Sequence, residues 1–139
     1  MERFIAFVFY VCLTTTVWAQ IQTSPDKDSD ANSKSVAFRN NLTLSSYYIN
    51  KNLDSALFFT FKAQKLLYSV EADTSTIALY ANLGEIYNLS GNFEKSLNYF
   101  FNAKSLTDSL LEYNPGSASL ISKQIKILNK IGVSFFMQR

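Results

Sequence analysis

From residue 36 onward, apolar positions recur at intervals of three and four, the period of helices with one buried face. Leu53 and Leu57, with the small Ala56 beside them, begin one such stripe. Phe93 and Leu97, with Ser96, begin another forty residues later. Two stretches break the pattern. Phe4 to Leu13 is a short, continuous apolar run. Residues 20–35 are polar, with Ile21 and Ala31 their only apolar members. Such a stretch cannot bury enough surface to offset its ordering entropy, so a flexible polar leader is expected there.

The periodic part predicts five helices, at about 36–49, 53–69, 74–90, 93–112 and 117–138. Their ends carry capping chemistry. Asn52 and Asn92 are suited to accept from the first free backbone N–H groups. Asp54 and Glu94 put negative charge in the first turn. Gly91 stands where a left-handed residue would close the third helix. Pro115-Gly116 breaks the chain before the last helix, and Ser117 is its candidate N-cap. In that helix Leu120, Leu128, Ile131 and Phe135 are read as the apolar positions. Short connections make consecutive helices antiparallel hairpins, so the predicted fold class is all-α, a solenoid of helical hairpins.

The chain also repeats itself. Residues 51–66 and 91–106 agree in kind at an offset of 40: Asn52 with Asn92, Leu57 with Leu97, Phe61 with Phe101, Ala63 with Ala103. Tyr80, Leu83, Gly84 and Tyr87 correspond in turn to Leu128, Ile131, Gly132 and Phe135. Glycines and alanines at these places are expected to let neighbouring helices approach closely. Tyr87, Phe100 and Phe135 are expected to fill the space between helices.

This pattern resembles the tetratricopeptide repeat, a helix-turn-helix unit of about 34 residues. Residues 77–110 match best, through Tyr80, Leu83-Gly84, Tyr87, the turn at Gly91-Asn92, Ser96, Phe100 and Ala103. Residues 37–70 match on their second helix, with Leu44 in place of the glycine on the first. Residues 125–139, with Gly132, match the first helix of a third unit. The resemblance therefore covers 36–139 as about two and a half units. It implies a scaffold that binds a protein or peptide partner, with the groove lined by first-helix positions. Those are Ala78, Ala81, Glu85, Asn88 and Leu89 in the best unit, and Lys126, Asn129, Val133, Phe136 and Met137 in the third. The first unit would add Phe38, Asn41, Ser45, Tyr48 and Ile49. Asn82, Lys126 and Lys130 also resemble part of a carboxylate clamp. Asn41 and Ser45 do not complete it, and solvated surface lysines are the simpler expectation.

Composition narrows the chemistry. The 139 residues include no His and one Cys, which excludes His-dependent nucleophiles, His metal sites and an intrachain disulfide. Asp54, Glu85, Glu94 and Glu112 have no paired spacing, so no enzymatic activity, cofactor or metal is expected. A net charge of +2 gives no reason to expect nucleic acid. Met1-Glu2-Arg3, the apolar run and Val17-Trp18-Ala19 have the parts of a secretory signal cut before Gln20. The run is too short for a membrane span of about 20 residues. Cys12 follows Val11, which is not the small residue a lipid-anchor site would need. Residues 1–19 are thus expected to direct export, to the periplasm or the exterior, and to depart with Cys12 and Trp18. Asn41-Leu42-Thr43 and Asn88-Leu89-Ser90 fit the N-glycosylation pattern.

The chain resembles the N-terminal part of an exported, repeat-containing signalling protein cut in mid-unit. Membrane association is expected only through an uncleaved signal or a missing C-terminal segment. The apolar end Phe135-Phe136-Met137 predicts self-association through an uncapped last helix. The alternative function is a small-ligand or glycan binder, with Tyr48 and Phe136 as stacking platforms.

Overall fold

The structure is a computed structural model that describes residues 26–67 and 74–138. The signal-like segment 1–19 lies outside the described residues. Five helices follow in order: α1 Asp26–Tyr48, α2 Leu53–Leu66, α3 Thr74–Leu89, α4 Phe93–Tyr113 and α5 Ala118–Met137. No strand occurs among the described residues. Contacts divide the chain into a unit 1–32 and a unit 33–139. The first is described only over 26–32, the opening of α1. All packing below lies within the second.

α1 begins ten residues before the expected start at 36, so the leader reading of 20–35 is corrected from Asp26 onward. The residues of α1 from Asp30 to Ser33 are solvent-exposed. Once the packed part of α1 exists, extending it toward the N-terminus needs no new nucleus, and polar residues can join it. The helix ends follow the capping chemistry. Asn52 Oδ1 accepts from Ser55 N–H at 2.9 Å, and Asn92 Oδ1 from Lys95 N–H at 3.1 Å. Ser117 Oγ accepts from Leu120 N–H at 3.4 Å. Gly91 has φ +77°. Its N–H donates to Asn88 O while Asn92 N–H donates to Tyr87 O, the paired bonds of a Schellman cap.

Three apolar clusters hold the helices together. Phe38, Leu42, Ala63, Leu79 and Leu83 join α1, α2 and α3. Ile49, Ala56 and Ile86 join the same helices toward the first turn. Ile77, Leu97, Phe100, Ala103, Leu120, Ile127 and Ile131 join α3, α4 and α5. α3 enters all three, which is why it is apolar on more than one side. Between the clusters lie seams of small and hydroxyl residues. Ser45 Oγ and Thr60 Oγ1 share a buried hydrogen bond of 2.6 Å between α1 and α2. Ser96 and Ser134 share one of 3.1 Å between α4 and α5. Thr60 and Thr107 also donate to the carbonyls of Ala56 and Ala103, one turn back. A hydroxyl satisfied in this way can be buried without the penalty of an unpaired polar group.

Two aromatic and charged details fix α4. Tyr99 stacks on Tyr87 with ring centroids 5.5 Å apart, and the Tyr80 ring lies 6.5 Å from it. Burial, and then the neighbouring Tyr87 and Tyr80, push the Tyr99 phenol above its ordinary pKa. Asp108 accepts from Lys104 Nζ at 2.6 Å and from Gln124 Nε2 of α5 at 2.7 Å. The Lys104 bond, opposed in part by desolvation and joined by the Gln124 bond, holds the Asp108 carboxyl below its usual range.

Gly84 lets α4 lie close against α3. A Cβ placed there would stand 2.6 Å from the Phe100 ring of α4. Gly132 does not play the same part, which corrects the expectation from its repeat position. A Cβ there would meet nothing within 4 Å. Gly84 is covered because α4 follows and folds back over it; α5 is the last described helix. The buried line of α5 is Leu120, Ile127, Ile131 and Ser134. Leu128 and Phe135, read as core positions, are exposed for the same reason.

Candidate partner-binding groove

α3 and α5 present one side to a shallow groove, and the C-terminal end of α1 closes its third side. Its volume is about 320 Å³. The floor is Ile49, Ala81, Phe100 and Ile127; the rim is Ser46, Asn50, Asn82, Glu85, Lys126 and Lys130. Ile49, Phe100 and Ile127 are fixed in the core clusters, so the floor is set by the same packing that forms the fold. Lys130 Nζ reaches Glu85 Oε1 at 2.7 Å and bridges α5 to α3 across the groove. Lys126 makes no ion pair among the described residues and is exposed.

Asn82 is the polar anchor beneath this rim. Its Nδ2 donates to Leu42 O at 3.3 Å, Ser45 Oγ at 3.2 Å and Ser46 Oγ at 3.0 Å. Its clamp-like position is therefore spent on holding α1 to α3. Lys130 is likewise engaged by Glu85.

The residues named from the resemblance separate into three groups. Ala81, Glu85 and Lys126 converge on the groove. Ala78 packs instead against the α1–α2–α3 cluster, and Asn88 Oδ1 accepts from Ser134 Oγ at 3.1 Å. Leu89, Asn129, Val133, Phe136 and Met137 are exposed but outside the groove lining.

The first-unit positions are displaced. Phe38 and Ser45 are buried, while Asn41 Nδ2 donates to Ala37 O at 2.7 Å. Tyr48 stacks on Phe59 with centroids 5.6 Å apart, which engages one of the two proposed stacking platforms. Ile49 alone of that set lines the groove. The buried residues 42 and 45 of α1, and 49 just after it, have the spacing of the buried 79, 82 and 86 of α3, an offset of 37. Carrying positions over at 40 therefore lands on a different face.

Sequence reasoning passed over Ser46, Asn50, Phe100 and Ile127 as groove residues. The missing signal was the rotation of α1, which no local pattern encodes. Both glycosylation-type asparagines lie within helices, and each already holds an intramolecular hydrogen bond.

Among the described residues, the chain is an all-α protein of consecutively packed helices in a repeat arrangement. No described helix is long and apolar enough to cross a membrane. No family model, curated protein or solved structure matches this chain.

Proposed function

We propose that this chain is an interaction module of the tetratricopeptide kind, exported by its N-terminal signal, that binds a protein or peptide partner rather than performing catalysis. One observation supports the reading above others: α3 and α5 bring Ala81, Glu85 and Lys126 to a single groove with an apolar floor and a polar rim. A peptide segment would bury apolar side chains on Ile49 and Ile127. It would bond through its backbone and polar groups to Ser46, Asn50 and Lys126. The Lys130–Glu85 bridge would act as a fixed wall of the site.

The test is selection of peptides on the whole chain, followed by NMR mapping of the bound state. Shifts are expected at Ala81, Asn82, Lys126 and Ile127. Ala81→Arg, which fills the groove, should weaken binding at least about tenfold while leaving the helical circular dichroism intact. Perturbations confined to another face, or an Ala81→Arg variant that binds as well as the parent, would overturn the assignment.

A further inference from the structure

A second concavity, of about 530 Å³, lies between α2 and α3. It shares no lining residue with the peptide groove. Phe61, Gln64, Lys65 and Leu67 line it from α2 and its C-cap, and Tyr80 lines it from α3. Its volume falls within the range of small-molecule sites, about 300–1,000 Å³.

Helix geometry and the core together build this lining. Phe61, Gln64 and Lys65 stand at i, i+3 and i+4, so their side chains are neighbours on one face of α2. Leu67 and Tyr80 pack against the apolar clusters and are held by them. The Tyr80 ring is steadied further by Tyr99, 6.5 Å away at an angle of 27°. Phe61 is different: it is 41% exposed, although a phenyl ring gains by burial. The cavity thus offers two aromatic rings from two helices, one fixed by packing and one open to a ligand.

Charge narrows the chemistry. Lys65 is the one charged residue of the lining. It is exposed and makes no ion pair among the described residues. Its own helix cannot supply one, because Asp54, the only acid of α2, lies about three turns away. Glu85, the only acid of α3, is held by Lys130. Other lysines of the fold are engaged: Lys104 by Asp108 at 2.6 Å, and Lys62 over the Phe58 ring at 4.5 Å.

We infer that this cavity binds a small aromatic carboxylate. The ligand's ring rests against Phe61 and Tyr80, and its carboxylate accepts from Lys65 Nζ and the Gln64 amide. A neutral ring would leave Lys65 without a counter-ion, and an aliphatic acid would leave the aromatic faces unused. One ammonium with no second cation suits a single negative charge.

NMR titration of the whole chain with phenylacetate tests this. Saturable shifts are expected at Phe61, Gln64, Leu67 and Tyr80, and none at Lys126 or Ile127. Phenylacetamide has the same shape without the charge, and glucuronate has the charge without the aromatic ring. Each should bind at least about tenfold more weakly, the loss of one good contact. Lys65→Met keeps the apolar stem and removes the charge. It should weaken phenylacetate about tenfold and bring it level with phenylacetamide. Phe61→Ser should weaken both ring compounds. Both positions are exposed, and unchanged circular dichroism excludes misfolding as the cause. Absence of saturable shifts with phenylacetate overturns the inference. So does equal binding of phenylacetamide or glucuronate, or a Lys65→Met variant that binds phenylacetate as the parent does.

Discussion

Gly84 and Gly132 occupy matching repeat positions but differ in what stands over them. At Gly84 the Phe100 ring fills the space a methyl group would need, 2.6 Å from the would-be Cβ. Gly84→Ala should therefore destabilise the fold by about 1–3 kcal/mol, the range for overpacking a dense core. Gly132→Ala meets open space. It should stabilise α5 by about 0.5–1 kcal/mol, because alanine loses less backbone entropy in a helix. Urea unfolding of both variants beside the parent chain gives the two signs. A neutral Gly84→Ala would show that the Phe100 ring moves aside readily, and the close-approach account would fall.

Between elements, polar groups carry more of the packing than the hydropathy pattern suggests. The α1–α3 contact depends on Asn82, whose amide reaches a carbonyl and two serine hydroxyls on α1. Asn82→Ala leaves Ser45 with its Thr60 bond but strips the Leu42 carbonyl of its side-chain donor. A loss of about 1–3 kcal/mol is expected, with hydrogen exchange rising mainly in α1. Uniform acceleration across all five helices would contradict a local role.

These buried polar residues also mark where pattern reading falls short. Ser45, Thr60, Thr107 and Ser134 are each fully buried, yet by residue type they belong to the surface. Their burial depends on a partner across the seam or a carbonyl one turn back. Neither is visible until the helices are placed. The caps were legible because Asn52, Asn92, Gly91 and Ser117 act on backbone groups a few residues away.

For the whole molecule, α3 is the shared wall and α5 an outer layer. Leu83 is fully buried in the cluster that joins α1, α2 and α3, whereas Ile131 lies at the edge where α5 meets α4. Each substitution to alanine should cost about 2–5 kcal/mol, but with different extents of unfolding. Leu83→Ala should lower protection in α1 to α4 together. Ile131→Ala should release α5 while α1 to α3 keep their protection. Hydrogen exchange read by mass spectrometry separates the two, and identical patterns would refute layered stability.

The amino-acid sequence by itself determined the all-helical class, most helix limits to within a few residues, and the turn chemistry at each described connection. Each of these depends on periodicity and on contacts within a turn or two. Only the tertiary structure decided which repeats are covered. The same Gly-aromatic register is sealed beneath α4 at Gly84 and Tyr87 of α3 and open to solvent at Gly132 and Phe135 of α5, because coverage is a property of the neighbouring helix. It also decided the rotation of α1, and with it which residues reach the groove. Three of the ten groove positions named in the second and third units converge there: Ala81, Glu85 and Lys126. Ala81 and Glu85 reach it from α3 and Lys126 from α5, while their repeat counterparts Asn129, Val133 and Ala78 do not, and α1 is held by its seam to Asn82 and Thr60.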